Sequence, residues 1–184
     1  MLEIEQKFRT DDWADMLITL KNCGAIVTAN HRETDRYFNA PDRDFAKTDE
    51  VLRLRTIGSQ SILTYKGPKR SGPIKTRKEI ELPLAVHESS EQDAVDWILA
   101  LGYRPVAIVG KSRAIHSFVR DQFTVNICFD EVDNIGRFIE VEVVAEEAAA
   151  TAAAALVATV ANELGLHTPE PRAYLKMTLE AGRT

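Results

Sequence analysis

The sequence predicts an α+β protein in which an antiparallel β-barrel with a polar interior is covered on the outside by helices. Two observations carry that expectation. First, five short stretches place charges two residues apart around an apolar or small residue: Glu3, Glu5 and Lys7 in LEIEQKF, Arg53 and Arg55 in LRLR, Glu79 and Glu81 in KEIEL, Lys111 and Arg113 in KSR, and Glu140 and Glu142 in FIEVEVV. Side chains alternate faces along a strand, so each set leaves one side while Ile4, Leu54, Ile80 and Val141 leave the other. Second, acidic and basic strands are segregated by sign, whereas a solvated sheet face mixes hydroxyls, amides and both charges. For any single pair, an ordinary half-solvated sheet is the competing reading. Taken together, the pairs point to charged faces turned into one cavity and apolar faces covered by helices. Isolated buried charges cost several kcal/mol each, so such a lumen must hold water and mutually compensating ions.

The elements follow in order. Leu2 to Phe8 reads as a strand, followed by a helix from about Asp11 to Cys23 that Asp11 or Asp12 can cap, with Trp13, Met16, Leu17 and Leu20 as its buried stripe and Gly24 at its left-handed end. After Ala25 to Ala29, a strand is expected at Thr34 to Asn39, then a polar loop through Pro41, Asp42 and Asp44. Val51 to Ile57 and Ser61 to Lys66 form a hairpin across Gly58-Ser59-Gln60, and Arg77 to Leu84 supplies another strand. Between them, GPKRSGPIKTRK reads as a hairpin connection able to offer Lys69, Arg70, Lys75 and Arg77 to an anion at a cavity mouth.

The second half repeats this plan. Ser90 with Asp93 resembles a capping box opening a helix whose Val95, Trp97, Ile98 and Leu101 are apolar and which Gly102 ends. Strands are expected at Pro105 to Val109, Lys111 to Arg120, Phe123 to Asp130 and Gly136 to Val144, with Pro105 at an edge or a strand start. The alanine-rich stretch from Glu146 to Leu164 is a strong helix former, and Pro171 opens a last short helix carrying Tyr174, Leu175 and Leu179. About eight or nine strands with helices at corresponding places imply two sheet halves wrapping one space, and closure also removes exposed edges.

Composition narrows the function classes. A chain of 184 residues without a long polar linker reads as a single domain, 1–184, able to bury its core without disulfides. No stretch approaches the ~20 apolar residues of a membrane span, and the MLEIEQ start is acidic where a secretory signal is basic then apolar, so a cytoplasmic location is expected. A net charge of −5 argues against bulk capture of nucleic acid. Cys23 and Cys128 match no metal-ligand spacing and read as packed thiols. His31, His87, His116 and His167 are scattered and are given surface or packing roles, and Trp13 and Trp97 sit at helix-stripe positions expected in the core.

Glu3-x-Glu5-x-Lys7, Arg53-x-Arg55, Lys66, Lys111-x-Arg113, Asp130 and Glu140-x-Glu142, in this order, resemble the CYTH superfamily, the triphosphate tunnel metalloenzymes. Within it, DRYFNAPDRDFAKTDEVLRLR, YKGPKRSGPIKTRKEIELP and FDEVDNIGRFIEVEV look like the class IV adenylyl cyclase branch, and the resemblance runs to roughly Leu179. The resemblance implies an eight-stranded antiparallel tunnel, Mg2+ or Mn2+ as cofactor, ATP or another triphosphate as substrate, and a homodimer as a frequent assembly.

Roles follow from chemistry. Hard divalent cations prefer oxygen ligands, which Glu3, Glu5, Glu140 and Glu142 offer. Asp130 is a further ligand, a residue that positions one, or the opening of a turn toward Asp133-Asn134. Glu79 and Glu81 lie near the tunnel or pair with Arg53 or Arg77 across strands. Lys7, Arg53, Arg55, Lys66, Arg77, Lys111 and Arg113 suit a chain of phosphates, because guanidinium forks bind oxygens bidentately and ammonium groups act as point charges. Glu3, Glu5, Lys7, Lys111, Arg113 and Asp130 are the expected catalytic set. Tyr174 approaches a nucleotide or is simply buried, and Lys176 faces the tunnel or solvent. The expected activity is conversion of ATP to 3′,5′-cyclic AMP and pyrophosphate, with a metal-dependent triphosphatase as the alternative and a catalytically silent sensor as the third reading.

Overall fold

A computed structural model describes residues 2–69, 75–85 and 90–182. Its eight antiparallel strands are β1 (Leu2–Arg9), β2 (Ile26–Asn39), β3 (Val51–Ile57), β4 (Gln60–Lys66), β5 (Lys75–Pro83), β6 (Arg104–Arg120), β7 (Phe123–Val132) and β8 (Gly136–Ala145). They close in the order β1-β5-β4-β3-β2-β6-β7-β8, and β8 returns to β1 with Glu5 opposite Glu142 and Lys7 opposite Glu140. The helices are α1 (Ala14–Asn22), α2 (Phe45–Thr48), α3 (Ser90–Ala100), α4 (Ala150–Glu163) and α5 (Tyr174–Ala181). None of them, among the described residues, is long and apolar enough to cross a membrane.

The apolar strand faces turn outward and are covered. Ile4, Ile127, Phe129, Ile139, Val141 and Val143 pack with Met16 and Leu20 of α1 and with Ala153, Leu156, Val157 and Val160 of α4. Alanines let α4 approach the sheet closely, and each fully buried aliphatic side chain there contributes about 1.5–3 kcal/mol. Under α3 a second cluster joins Ile98 to Phe38 and Leu54. A third lies where α5 meets the barrel: Tyr174 and Met177 pack on Tyr37, Val109, Val132 and Phe138.

Two expectations are corrected in the strands. The strand expected at Thr34 to Asn39 begins earlier, at Ile26, so that β2 is one long strand with a register shift between Val27 and Ala29. Asn30 to Glu33 contains no apolar residue, so no alternation marks it; its inward positions are polar because the lumen is polar. The two strands expected on either side of Gly110 are likewise one, β6. Gly110 keeps its place in the ladder opposite Thr34, and a side chain there would collide with the Arg32–Asp133 ion pair. Pro105 is the second residue of β6, beside a register shift between Tyr37 and Phe38 that accommodates its missing donor.

The helix stripes also differ from expectation. Trp13 is partly buried, edge-on to Phe129 at 5.2 Å, but Trp97 is 59% exposed and Leu17 and Leu101 are exposed as well. In α3 the covered residues are Ala94, Val95 and Ile98; Trp97 stands on the flank of that face, and Leu101 follows the end of the helix at Ala100. The polar loop after Asn39 contains the single turn α2, capped by the Asp44 carboxylate accepting from Ala46 N at 3.1 Å. Arg70 and His87 lie outside the described residues.

Candidate active site

Strand alternation sorts the inward side chains into layers. From the end closed by α5, β6 presents Val109, Lys111, Arg113 and Ile115; β8 presents Phe138, Glu140, Glu142 and Val144; β3 presents Val51, Arg53, Arg55 and Ile57. Running antiparallel, β2 presents Tyr37, Asp35, Glu33 and His31. On β3, β6 and β8 two charged side chains therefore stand in the middle with apolar ones at both ends, and on β2 Glu33 and Asp35 stand between Tyr37 and His31. The cavity holds about 570 Å³, which falls in the range of small-ligand sites.

Its basic wall is tied to buried acids. Arg55 donates to Asp35 at 2.7 and 2.8 Å and lies 3.0 Å from Glu33. Lys111, 2% exposed, contacts Glu33 at 3.1 Å and Asp130 at 3.5 Å. Arg113 donates to Asp130 at 2.7 and 2.5 Å and to Glu140 at 2.5 Å. Arg53 faces Asp35 at 3.5 Å, Glu79 at 3.7 Å and Glu81 at 3.9 Å, so the cross-strand pairing of Glu79 and Glu81 with a basic strand is present. Lys7 lies 3.9 Å from Glu140 and 4.0 Å from the Tyr174 ring. At the β4–β5 end, Arg77 reaches Asp49 at 3.4 Å and Lys69 reaches it at 2.7 Å.

Three acids converge differently. Glu3, Glu5 and Glu142 bring one carboxylate oxygen each within 4.8 Å of one another, a set of hard oxygen donors that fits Mg2+ or Mn2+. Glu140 and Asp130 are outside this group and serve Arg113 instead. Asp130 is fully buried and also accepts from the Tyr174 hydroxyl at 2.9 Å. Lys66 donates to Glu3 at 2.5 Å and lies 3.1 Å from Glu79, bridging the acid cluster to the basic wall.

The charges shift proton affinities in opposite directions. Burial opposes ionisation of Glu33, but Lys111, Arg113, Arg55 and the His31 hydrogen bond outweigh it and bring its carboxyl down to about 2. Asp35, buried beside Arg53 and Arg55, is held below the usual carboxylate range in the same way. Glu142 goes the other way: burial, reinforced by Glu3, Glu140 and Glu5 against the pull of Arg113, pushes it up to about 7. Burial also raises Glu3, with Glu79 adding to it and Lys66 opposing. Crowded acids that retain protons are the electrostatic counterpart of a cation site. Tyr174, raised by burial and by Glu140 and Asp130, remains a hydroxyl donor.

Several site residues escaped the sequence reading. Glu33 and Asp35, the counter-ions of the basic wall, form an i, i+2 acidic pair in HRETDRY, with the polar Thr34 between them instead of the apolar residue that marks LRLR and FIEVEVV. His31 lines the cavity and shares a 2.8 Å hydrogen bond with Glu33, where a surface or packing role was expected. His116 does pack, edge-on to Phe129. Lys176 is exposed beside Glu180 and does not join the tunnel.

A closed antiparallel barrel thus sets an oxygen-rich acid cluster against a wall of Lys and Arg across one cavity. The chain belongs to the CYTH domain family, whose model matches residues 1–174. A Methanocaldococcus jannaschii protein whose name proposes an adenylate cyclase is 34% identical over 142 residues, 77% of each chain. The solved structure of a Pyrococcus horikoshii OT3 protein superposes with a TM-score of 0.82 at 32% identity, covering 97% of this chain and 98% of that one. A Hippeastrum protein, an adenylyl cyclase by name and described as having a dominant triphosphatase activity, shares the fold with a TM-score of 0.68 at 14% identity over 97% of this chain and 95% of that one.

Proposed function

We propose that the protein is a divalent-metal-dependent adenylyl cyclase converting ATP to 3′,5′-cyclic AMP and pyrophosphate. The observation that carries this reading is the Glu3, Glu5 and Glu142 cluster facing Arg53, Arg55, Lys66, Lys111 and Arg113 across one cavity. The basic wall would bind the three phosphates and draw off the charge that grows on the departing pyrophosphate. In the reaction the ribose 3′ oxygen bonds to the α-phosphorus, the bond from the α-phosphorus to the α–β bridging oxygen breaks with its electron pair departing on pyrophosphate, and the hydroxyl proton passes to water. Mg2+ or Mn2+ held by the three glutamates would supply Lewis-acid polarisation and charge neutralisation. Asp130, held by Arg113, Lys111 and the Tyr174 hydroxyl, would fix the basic groups in place.

The triphosphatase reading keeps the same binding groups and directs water at a terminal phosphorus. The Hippeastrum neighbour supports keeping it, since a cyclase name and a dominant triphosphatase activity coincide there. Incubating purified protein with Mn2+ or Mg2+ and ATP or tripolyphosphate, then resolving the products, decides. Cyclic AMP with pyrophosphate supports the cyclase, orthophosphate supports the triphosphatase, and unchanged ligand would leave only a sensor.

A further inference from the structure

Among the described residues that line the cavity, His31 is the one imidazole. It stands on β2 opposite Arg113 of β6, and its Nε2 lies 2.8 Å from Glu33 Oε1. The other oxygen of that carboxylate meets Arg55 of β3 at 3.0 Å and Lys111 of β6 at 3.1 Å. These cations, with Arg113, keep Glu33 ionised, its carboxyl brought down to about 2, and an ionised carboxylate only accepts hydrogen bonds. Nε2 therefore donates its N–H to Glu33, and the lone pair of the neutral ring is on Nδ1. Among the described residues, the bond to Glu33 is the ring's single hydrogen bond. The His31 side chain is 22% exposed where that of Glu33 is 2%, so water in the cavity reaches the ring.

The other groups of the cavity are already engaged. Acids of the wall are tied to Arg and Lys, and Glu3, Glu5 and Glu142 make up the cation cluster. Burial holds the proton on the Tyr37 hydroxyl. A carboxylate that orients one nitrogen of an imidazole and leaves the other bare is the arrangement of a general base.

We propose that His31 is the general base of the cyclisation, its Nδ1 taking the ribose 3′-hydroxyl proton through one water as the 3′ oxygen closes on the α-phosphorus. This rests on the cyclase reading and supplies the proton acceptor that reading lacks. The O–H bond breaks, an N–H bond forms on Nδ1, and the electron pair of the broken phosphorus–oxygen bond leaves on pyrophosphate. The imidazolium then stands beside the Glu33 carboxylate, which offsets its charge, until the proton returns to solvent. Glu33 is a positioning residue in this scheme. Because Arg55 and Lys111 share Glu33 with the ring, a phosphate chain bound to them lies one carboxylate away from it. Arg113, the cation opposite the ring, is held by Asp130 and Glu140.

The test compares cyclic AMP formation from ATP and Mn2+ by the wild-type protein, His31→Gln and His31→Ala, alongside calorimetric titration of each with tripolyphosphate. Gln sets an amide N–H where the Nε2–H stood, so Glu33 keeps its donor while the proton acceptor is gone. In His31→Gln, kcat should fall about a hundredfold, with KM and tripolyphosphate affinity within about twofold of wild type. Added imidazole should raise the His31→Ala rate at least about tenfold and leave the wild-type rate unchanged. A His31→Gln kcat within about threefold of wild type, a loss of tripolyphosphate affinity matching the loss of kcat, or a His31→Ala rate indifferent to imidazole overturns the assignment and leaves the cyclase reading standing. Wild-type protein that binds tripolyphosphate but forms no cyclic AMP overturns the cyclase reading and the assignment with it.

Discussion

Asp130 offers the most direct test of how the tunnel is held together. Its carboxylate is fully buried and receives Arg113 at 2.7 and 2.5 Å, the Tyr174 hydroxyl at 2.9 Å and Lys111 at 3.5 Å. Asp130→Asn keeps the shape and one acceptor but removes the charge. Breaking a buried ion pair costs about 3–5 kcal/mol, and a single charged hydrogen bond about 1.5–3 kcal/mol. Glu140 still accompanies Arg113 and Glu33 still accompanies Lys111, so a loss at the lower end, about 3 kcal/mol, is expected. Tyr174→Phe removes one charged hydrogen bond to the same carboxylate and should cost about 1.5–3 kcal/mol. Urea denaturation measures both as shifts in midpoint at constant slope. The Asp130 variant also carries surplus positive charge in its lumen, so metal-free tripolyphosphate should stabilise it more than it stabilises the wild type. A loss below about 1 kcal/mol, or weaker stabilisation by tripolyphosphate than in the wild type, would refute Asp130 as the counter-ion of the basic wall.

Four further outcomes are expected. Because burial and neighbouring acids push Glu142 up to about 7, Mg2+ or Mn2+ should displace nearly one proton at about pH 6 and few at about pH 8; titrations in buffers of different ionisation enthalpy would expose a pH-independent release as contrary. Glu33 is lowered from 4.5 to about 2, so it binds protons more weakly in the folded state than in the unfolded one. Its contribution, about 3 kcal/mol, is present above pH ~4.5 and lost as pH falls toward ~2, and Glu33→Gln should flatten the stability curve in that window. Lys66→Ala should tighten metal binding and weaken triphosphate binding, because Lys66 occupies Glu3 at 2.5 Å; weaker metal binding would contradict this competition. Glu5→Ala should abolish turnover with the circular dichroism spectrum unchanged, and near-normal rates at saturating metal would be evidence against its metal role.

How much of this was legible in the sequence depends on which rule each segment obeyed. Charged pairs separated by one apolar residue, as in LRLR and FIEVEVV, reported both the strand and the face that turns inward, because Leu54 and Val141 had to go somewhere dry. The same logic failed at NHRE in β2, where polar residues occupy both faces: Asn30 and Arg32 meet solvent while His31 and Glu33 meet the lumen. Hydrophobic alternation is silent when inside and outside are both wet, so the acids that neutralise the basic wall were hidden although they stood two residues apart like the others. Trp97 failed for the complementary reason, since α3 needs only a narrow apolar stripe over Leu54 and Phe38, and an apolar residue on the flank of that stripe stays in solvent. The partner choices inside the tunnel were beyond any local pattern. Asp130 meets Arg113 because β6 and β7 set them opposite each other, and it meets Tyr174 because α5 folds back across the barrel end. Spacing alone gives Glu140 and Glu142 the same claim to a metal. The pairing of β8 with β1 separates them, placing Glu142 beside Glu5 and Glu140 beside Lys7, so that one acid faces the cation cluster and the other the basic wall.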